Sequence, residues 1–328
     1  MSKNRAASIR ARLKNRSDVA KQDFNLTLTH YGLERLLYRL SVSRHAPNFL
    51  LKGALLFKLW YDLPQRPTRD ADLLGYGRDD IGSFAAVFRD VCVIEVDDGI
   101  VFDADSVKAA EIRKEADYGG VRVELRATLD GAQLWLQIDV GFGDVVTPAP
   151  ETVNYPVLLD DLPSPRLRAY SKHTVVAEKF QALCALGMAN SRMKDYFDLW
   201  MLLRDGDLDD TELTHAIEAT FTRRRTALPE GVPAGLSDAF ASDAGKQAQW
   251  RAFVTKNKLN AIALGELVQA LRAEFQHPCG FPGNRRIRRA DGKSARSQAI
   301  ARTRCVAVRG AAPSKGTEGQ GMRQLACR

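Results

Sequence analysis

Two acids separated by one alanine, Asp70 and Asp72 in RPTRDADLLGYG (66–77), open onto a pair of leucines. On an extended strand the side chains at i and i+2 share a face, so both carboxylates point together while Ala71 and Leu73 face the other way. Like charges at that range raise one another's pKa and resist joint ionisation. A divalent cation removes the conflict, and Mg²⁺ is a hard ion that takes carboxylate oxygens together with substrate phosphates. A third acid, Asp139, stands on the polar face of AQLWLQIDVGF (132–142) beside Gln133, Trp135 and Gln137. If that strand neighbours the first, three carboxylates converge, giving Asp70, Asp72 and Asp139 as candidate metal ligands. As a bare pattern, Asp-x-Asp fits solvated residues of an edge strand better, since that spacing is common by chance.

What separates the two readings is the preceding segment. In NFLLKGALLF a short strand, Phe49–Leu51, meets Gly53, and a helix is expected from there to about Tyr61. Unpaired N–H groups and the dipole at a helix N-terminus favour phosphate, and a glycine lets backbone approach a ligand closely. Lys52, Gly53 and Ala54 are therefore candidate nucleotide-binding residues. The chain holds no GxxxxGK[ST] loop.

A second constellation lies further on. In HTVVAEKFQALCALG, Val176, Phe180, Leu183, Cys184 and Gly187 share a helix face, and Lys179 falls about 60° from its centre. A lysine at the edge of a buried stripe either snorkels to solvent or meets an anion, whereas Glu178 projects well away from that stripe. Asp195 opens the helix DYFDLWMLL, with Tyr196, Leu199, Trp200 and Leu203 facing inward. It is either a first-turn acid suited to the helix dipole or a functional acid that orients Lys179 or the sugar of a bound nucleotide. Arg192 and Lys194, just before it, are candidate phosphate contacts, although surface charge accounts for them more readily.

These groups need elements to hold them. Residues 5–16 and 28–42 read as helices, the second with Tyr31, Leu33, Leu36, Leu37 and Leu40 along one stripe. Pro64 and Pro67 end the helix that follows Gly53 and force an extended path. VRVELRATL alternates, with Val121, Val123, Leu125, Ala127 and Leu129 on one face; Asp130-Gly131 is a two-residue hairpin signal, and Leu134, Leu136, Ile138 and Val140 line the return strand. A proline-rich connector (Pro148 to Pro165) precedes a helical half. The fold class expected is α/β (α+β), a mixed sheet domain over 23–165 followed by a helical domain over 166–277, with a basic helix at 1–22 and a basic, disordered tail at 278–328.

The chain has 328 residues, 45% of them hydrophobic, and a formal net charge of +8. That charge is not spread evenly: residues 281–328 hold 12 Lys/Arg against Asp291 and Glu318, and residues 1–22 hold seven against one acid. Residues 23–280 then carry about −8, which argues against a body built as a nucleic-acid footprint. The longest apolar runs fall far short of the ~20 residues that span a bilayer, and the basic N-terminus lacks the apolar stretch of a secretory signal. Five scattered cysteines with no CxxC suit a reducing, cytoplasmic setting rather than a disulfide framework.

The strand, glycine turn, helix and Asp-x-Asp strand together resemble the nucleotidyltransferase superfamily. More specifically, KGALLFKLWYDLPQRPTRDADLL, IDVGFGD, VVAEKFQAL and SRMKDYFDLW, in this order, resemble the AbiEii/AbiGii-type nucleotidyltransferase toxins, whose relatives include the mycobacterial MenT toxins. The resemblance covers about residues 20–275. It implies a nucleotidyltransferase domain and a helical domain with the active site in the cleft between them. It further implies an NTP substrate, transfer of NMP to an acceptor such as the 3′ end of tRNA, and a toxin encoded beside an antitoxin with a DNA-binding part. By position it assigns metal binding to Asp70 and Asp72, either ligation or base chemistry to Asp139, phosphate binding to Lys179, and the motif acid to Asp195. Two Mg²⁺ ions are expected. Ala54 stands where many relatives carry a second Gly or a Ser, so no hydroxyl contact is available there. A metal-dependent nuclease, transfer to a protein acceptor, and a non-enzymatic nucleic-acid-binding protein are the alternatives.

Overall fold

The computed structural model describes residues 3–61, 67–77, 80–112, 119–204 and 206–275. The expected helix stop at Pro64 and the basic tail from 278 lie outside the described residues.

The leucine stripe belongs to α2 (Phe24–Val42), where Asp23 accepts from the Leu26 N–H at 2.8 Å and caps the first turn. Its five stripe residues are buried. The basic N-terminal segment forms α1 (Lys3–Val19), which inserts Ile9 and Leu13 into the same core. The helix pair sits against a seven-stranded mixed sheet.

The strands are β1 (Phe49–Lys52), β2 (Asp70–Gly75), β3 (Ile100–Ile112), β4 (Gly120–Leu129), β5 (Ala132–Phe142), β6 (Glu151–Asn154) and β7 (Arg166–Ala169). Their order in the sheet is β3-β4-β5-β2-β1-β7-β6. The β2–β5 and β1–β7 pairs are parallel and the others antiparallel. The alternation expected in β4 and β5 holds residue by residue: the apolar face is buried against the helices. Between these strands Asp130 and Gly131 take positive φ values of 45° and 75°, as the two-residue turn requires. On β2 Ala71 and Leu73 are buried while Asp70 and Asp72 lie on the half-covered face.

Three regions depart from expectation. The stretch after Gly53 is a 3₁₀ turn (Gly53–Leu56) followed by one α turn, α3 (Phe57–Trp60), not a single helix. The proline-rich connector carries β6, and β7 joins the sheet beside β1. The chain therefore leaves the sheet after Ala169, past the expected border at 165. The long strand β3, preceded by α4 (Ile81–Cys92), had no counterpart in the sequence pattern.

The helical half follows as α5 (Lys172–Leu186), α6 (Met193–Arg204), α7 (Asp210–Arg223), α8 (Asp238–Ser242), α9 (Ala244–Asn257) and α10 (Leu264–Phe275). Val176, Phe180 and Leu183 on α5 are fully buried, and Phe180 stacks on Phe275 of α10 with centroids 3.9 Å apart. Among the described residues no helix is long and apolar enough to cross a membrane.

Candidate active site

Register brings four charged residues into one row. Lys52 on β1 pairs with Asp72 on β2, Asp72 with Asp139 on β5, and Asp139 with Arg122 on β4. Directly opposed residues project to the same face, so the row reads cation, acid, acid, cation across the sheet.

The two central acids fare differently. Asp139 is gripped by Arg122 through two parallel bonds, Nε–Oδ1 at 2.9 Å and Nη2–Oδ2 at 2.8 Å, the bidentate geometry that satisfies a carboxylate best. Asp139, expected as a third ligand or a base, thus stands paired with an arginine that takes one lone pair on each of its oxygens. Asp72 has no salt-bridge partner among the described residues. Burial, and after it the neighbouring Asp70 charge, push its carboxyl above the ordinary range. Asp70 accepts a 2.5 Å hydrogen bond from the Thr68 hydroxyl, also without an ion-pair partner among the described residues.

The Gly53 turn closes over Asp72. Gly53 has φ +74°, and a Cβ built there would lie 2.0 Å from an Asp72 carboxylate oxygen. Any side chain at 53 would displace that acid, so the glycine is required twice, by conformation and by contact. The N-terminal dipole expected at this turn is small, because a 3₁₀ turn and one α turn align few peptide units.

Asp72, Lys52, Gly53 and Ala54 form one wall of a cavity of about 200 Å³, whose other walls include Lys179, Asp195, Arg192 and Lys194. Asp70 and Asp139 lie outside this lining. On the far wall the Lys179 ammonium stands 2.7 Å from Asp195 Oδ1 and 2.9 Å from Asp198 Oδ2. Both aspartates are buried, with side chains 0% and 1% exposed. Arg192 Nε reaches the second oxygen of Asp195 at 2.8 Å. Lys179 thus does not snorkel, and Asp195 is not a solvated dipole acid: it partners the lysine.

A second charged group lines the same cavity around Lys52. Lys52 Nζ lies 2.8 Å from Asp144 Oδ2, and Arg224 Nη2 lies 3.0 Å from Asp144 Oδ1 and 3.4 Å from Glu178 Oε1. Burial works against the Lys52 ammonium, but Glu178 and Asp144 outweigh it and hold its pKa above the usual lysine value. Burial raises the Glu178 carboxyl despite Lys52 nearby. Burial also opposes the Asp144 charge, yet Lys52 and Arg224 together hold that carboxyl well below its usual value.

Four of these groups escaped the sequence reading. Glu178 was placed away from the buried stripe, as it is, but the side it faces is the polar cavity. Asp144 and Asp198 stood inside the quoted motifs IDVGFGD and KDYFDLW, and Asp198 is one helical turn beyond Asp195. Arg224, within TRRRT, has no sequence signal that separates it from surface charge.

The donor set fits a divalent ion in one form. Among the described residues no group of three or more His, Cys, Asp or Glu stands together as a metal cage. Mg²⁺ is ordinarily held by one or two carboxylates plus substrate phosphates, and Asp70 and Asp72, on one strand face and without ion-pair partners among the described residues, would fit that form.

A family model described as nucleotidyl transferase AbiEii toxin, type IV TA system, matches residues 35–299. Among solved structures, the chain is similar to JHP933 from Helicobacter pylori (15% identity, 81% of this chain and 94% of that one, TM-score 0.43). It is also similar to a putative nucleotidyltransferase from H. pylori (16% identity, 75% and 91%, TM-score 0.41). No curated protein matches.

Proposed function

The chain belongs to the AbiEii family of nucleotidyl transferase toxins of type IV toxin–antitoxin systems, and from that premise we propose that its cavity transfers NMP from an NTP to the 3′ end of a tRNA. The observation that carries this reading is the juxtaposition of Asp72, pressed under the Gly53 turn, with a lysine fixed by two buried aspartates across a 200 Å³ cavity.

Each group has a part in that reaction. Lys179 meets the triphosphate from one wall, and Asp195 and Asp198 fix its ammonium so that no reorganisation is needed as charge builds on the phosphates. Lys52 meets it from the wall that carries Asp72, with the Gly53–Ala54 backbone alongside. Asp70 and Asp72 would hold Mg²⁺, which when bound lowers the pKa of an attacking hydroxyl and offsets charge on departing pyrophosphate. Arg122 holds the Asp139 carboxylate in place beside Asp72 in the strand register. Arg192 and Lys194 at the cavity wall contact the phosphates of the incoming acceptor strand. The sheet part and the helices α5–α10 act as two lobes about this cavity. Membership in a type IV family also implies an antitoxin partner.

Incubating the purified protein with each α-labelled NTP and total RNA tests the reading. Label is expected on RNA of tRNA size that has grown by added nucleotides, and Asp72→Asn should abolish it. Shortened RNA would point to a nuclease, label on polypeptide to a protein acceptor. Activity that survives Asp72→Asn would remove the enzyme reading of this cavity altogether.

A further inference from the structure

We infer that Asp144 and Arg224 are positioning residues for the Lys52 ammonium, so that the end of α7 sets the orientation of a phosphate-binding cation carried by the sheet. The inference rests on the nucleotide-binding reading of the cavity and extends it to two lining residues whose part is played through another side chain.

The geometry is that of a relay. Asp144 follows the Gly143 turn at the end of β5 and divides its two oxygens, Oδ2 to Lys52 at 2.8 Å and Oδ1 to Arg224 at 3.0 Å. Asp144 gives Lys52 a single oxygen because the other is held by Arg224, so the ammonium keeps donors for a third party. Asp144 takes one of the three N–H donors of the ammonium, and nothing else among the described residues takes another. The amine meanwhile lies against bare backbone: a Cβ at Gly141 would fall 3.0 Å from Nζ.

Arg224 is anchored well enough to set this arrangement. Its Nη1 donates to Gln181 Oε1 at 3.0 Å on α5, and it pairs with Glu178. The preceding Arg223 donates from Nε to the Gly143 carbonyl, so two consecutive arginines hold the turn that presents Asp144. Lys52, Asp144, Glu178 and Arg224 all line the cavity, and the row of register partners places Lys52 next to Asp72. Arg224 therefore couples the packing of the helices to the point where the triphosphate meets the sheet.

The test is a double-mutant cycle on the full chain, read by calorimetric titration with each Mg·NTP in turn and followed on the tightest. Lys52→Ala and Arg224→Ala are each expected to weaken binding about tenfold, as coupled charged neighbours do. If Arg224 acts through Lys52, the double variant binds no more than about twofold worse than Lys52→Ala alone. Multiplication of the two effects to about a hundredfold overturns the relay, as does unchanged binding by Arg224→Ala. A structural role would lower binding equally in both backgrounds. Should Arg224→Ala fail to fold, Arg224→Lys and Asp144→Asn carry the same cycle, each expected to lose its effect once Lys52 is alanine. Absence of NTP binding by the wild-type chain overturns the nucleotide reading itself, whereas binding with independent effects overturns only the relay.

Discussion

Asp72 sits where a carboxylate is least comfortable: buried, beside Asp70, under a backbone turn and without a salt-bridge partner among the described residues. Its folded pKa lies above the unfolded value, so the native state holds its proton to higher pH than the unfolded chain does. Stability is then lost as pH rises from the unfolded value of 3.8 through the folded one, and is not recovered at neutral pH. Asp72→Asn should accordingly raise the melting temperature of the metal-free protein at pH 7, by about 2 °C or more, while abolishing transfer. Mg²⁺ should raise the melting temperature of wild type and leave Asp72→Asn almost unmoved. A variant that melts lower than wild type, measured by calorimetry without metal, would show that Asp72 stabilises the fold and is not strained by it. The Asp-x-Asp face was readable because strand alternation dictates it. That Asp139 belongs to Arg122 was not, since the partner is set by register between strands and not by spacing along one.

Secondary elements hold these residues at one remove. His30 on α2 lies 2.8 Å from the Thr68 carbonyl, and the Thr68 hydroxyl donates to Asp70 at 2.5 Å. Burial, then the nearby Lys58 charge, lowers the His30 pKa against the pull of that carbonyl. The ring is neutral at pH 7, and because a carbonyl only accepts, Nε2 carries the proton. Here the folded pKa lies below the unfolded 6.5, so the unfolded chain takes up a proton first. The contribution of His30 is complete above that value and is lost as pH falls beneath it. His30→Gln, which keeps an N–H donor without a titration, should flatten the loss of stability between about pH 7.5 and 5.5, read as urea midpoints; an unchanged slope would assign the acid sensitivity elsewhere. The same scale shows what pattern can deliver. The β4–β5 hairpin was legible from alternation and Asp130-Gly131. In contrast β3 runs through DADSVKAAEI with a register shift between Asp103 and Lys108, which breaks the period that marks a strand. β6 and β7, four residues each, are too short to show one. The polar wall of α5 was illegible for a related reason: an apolar stripe locates the core, and a cavity lined by charge leaves no stripe.

At the scale of the molecule, charge and site occupy different places. The basic N-terminus is no free arm: α1 packs Ile9 and Leu13 into the core, Arg12 and Arg5 pair with Asp161, and Arg10 with Asp130. Every cavity residue lies between Lys52 and Arg224, and the family match ends at 299. Residues 300–328 add six Lys/Arg and one acid beyond that match. If the cavity does the chemistry and the terminal charge serves only long-range attraction, a chain ending at residue 299 should keep the KM for NTP and the kcat of wild type. Its acceptor RNA should bind more weakly at low salt, with a shallower dependence of log K on log[salt], because fewer phosphates are neutralised. Above about 0.3 M salt, where the Debye length is well under 10 Å, the two chains should converge. Loss of transfer on truncation, with Asp72→Ala still active in the full chain, would invert the assignment and place the activity in the basic end.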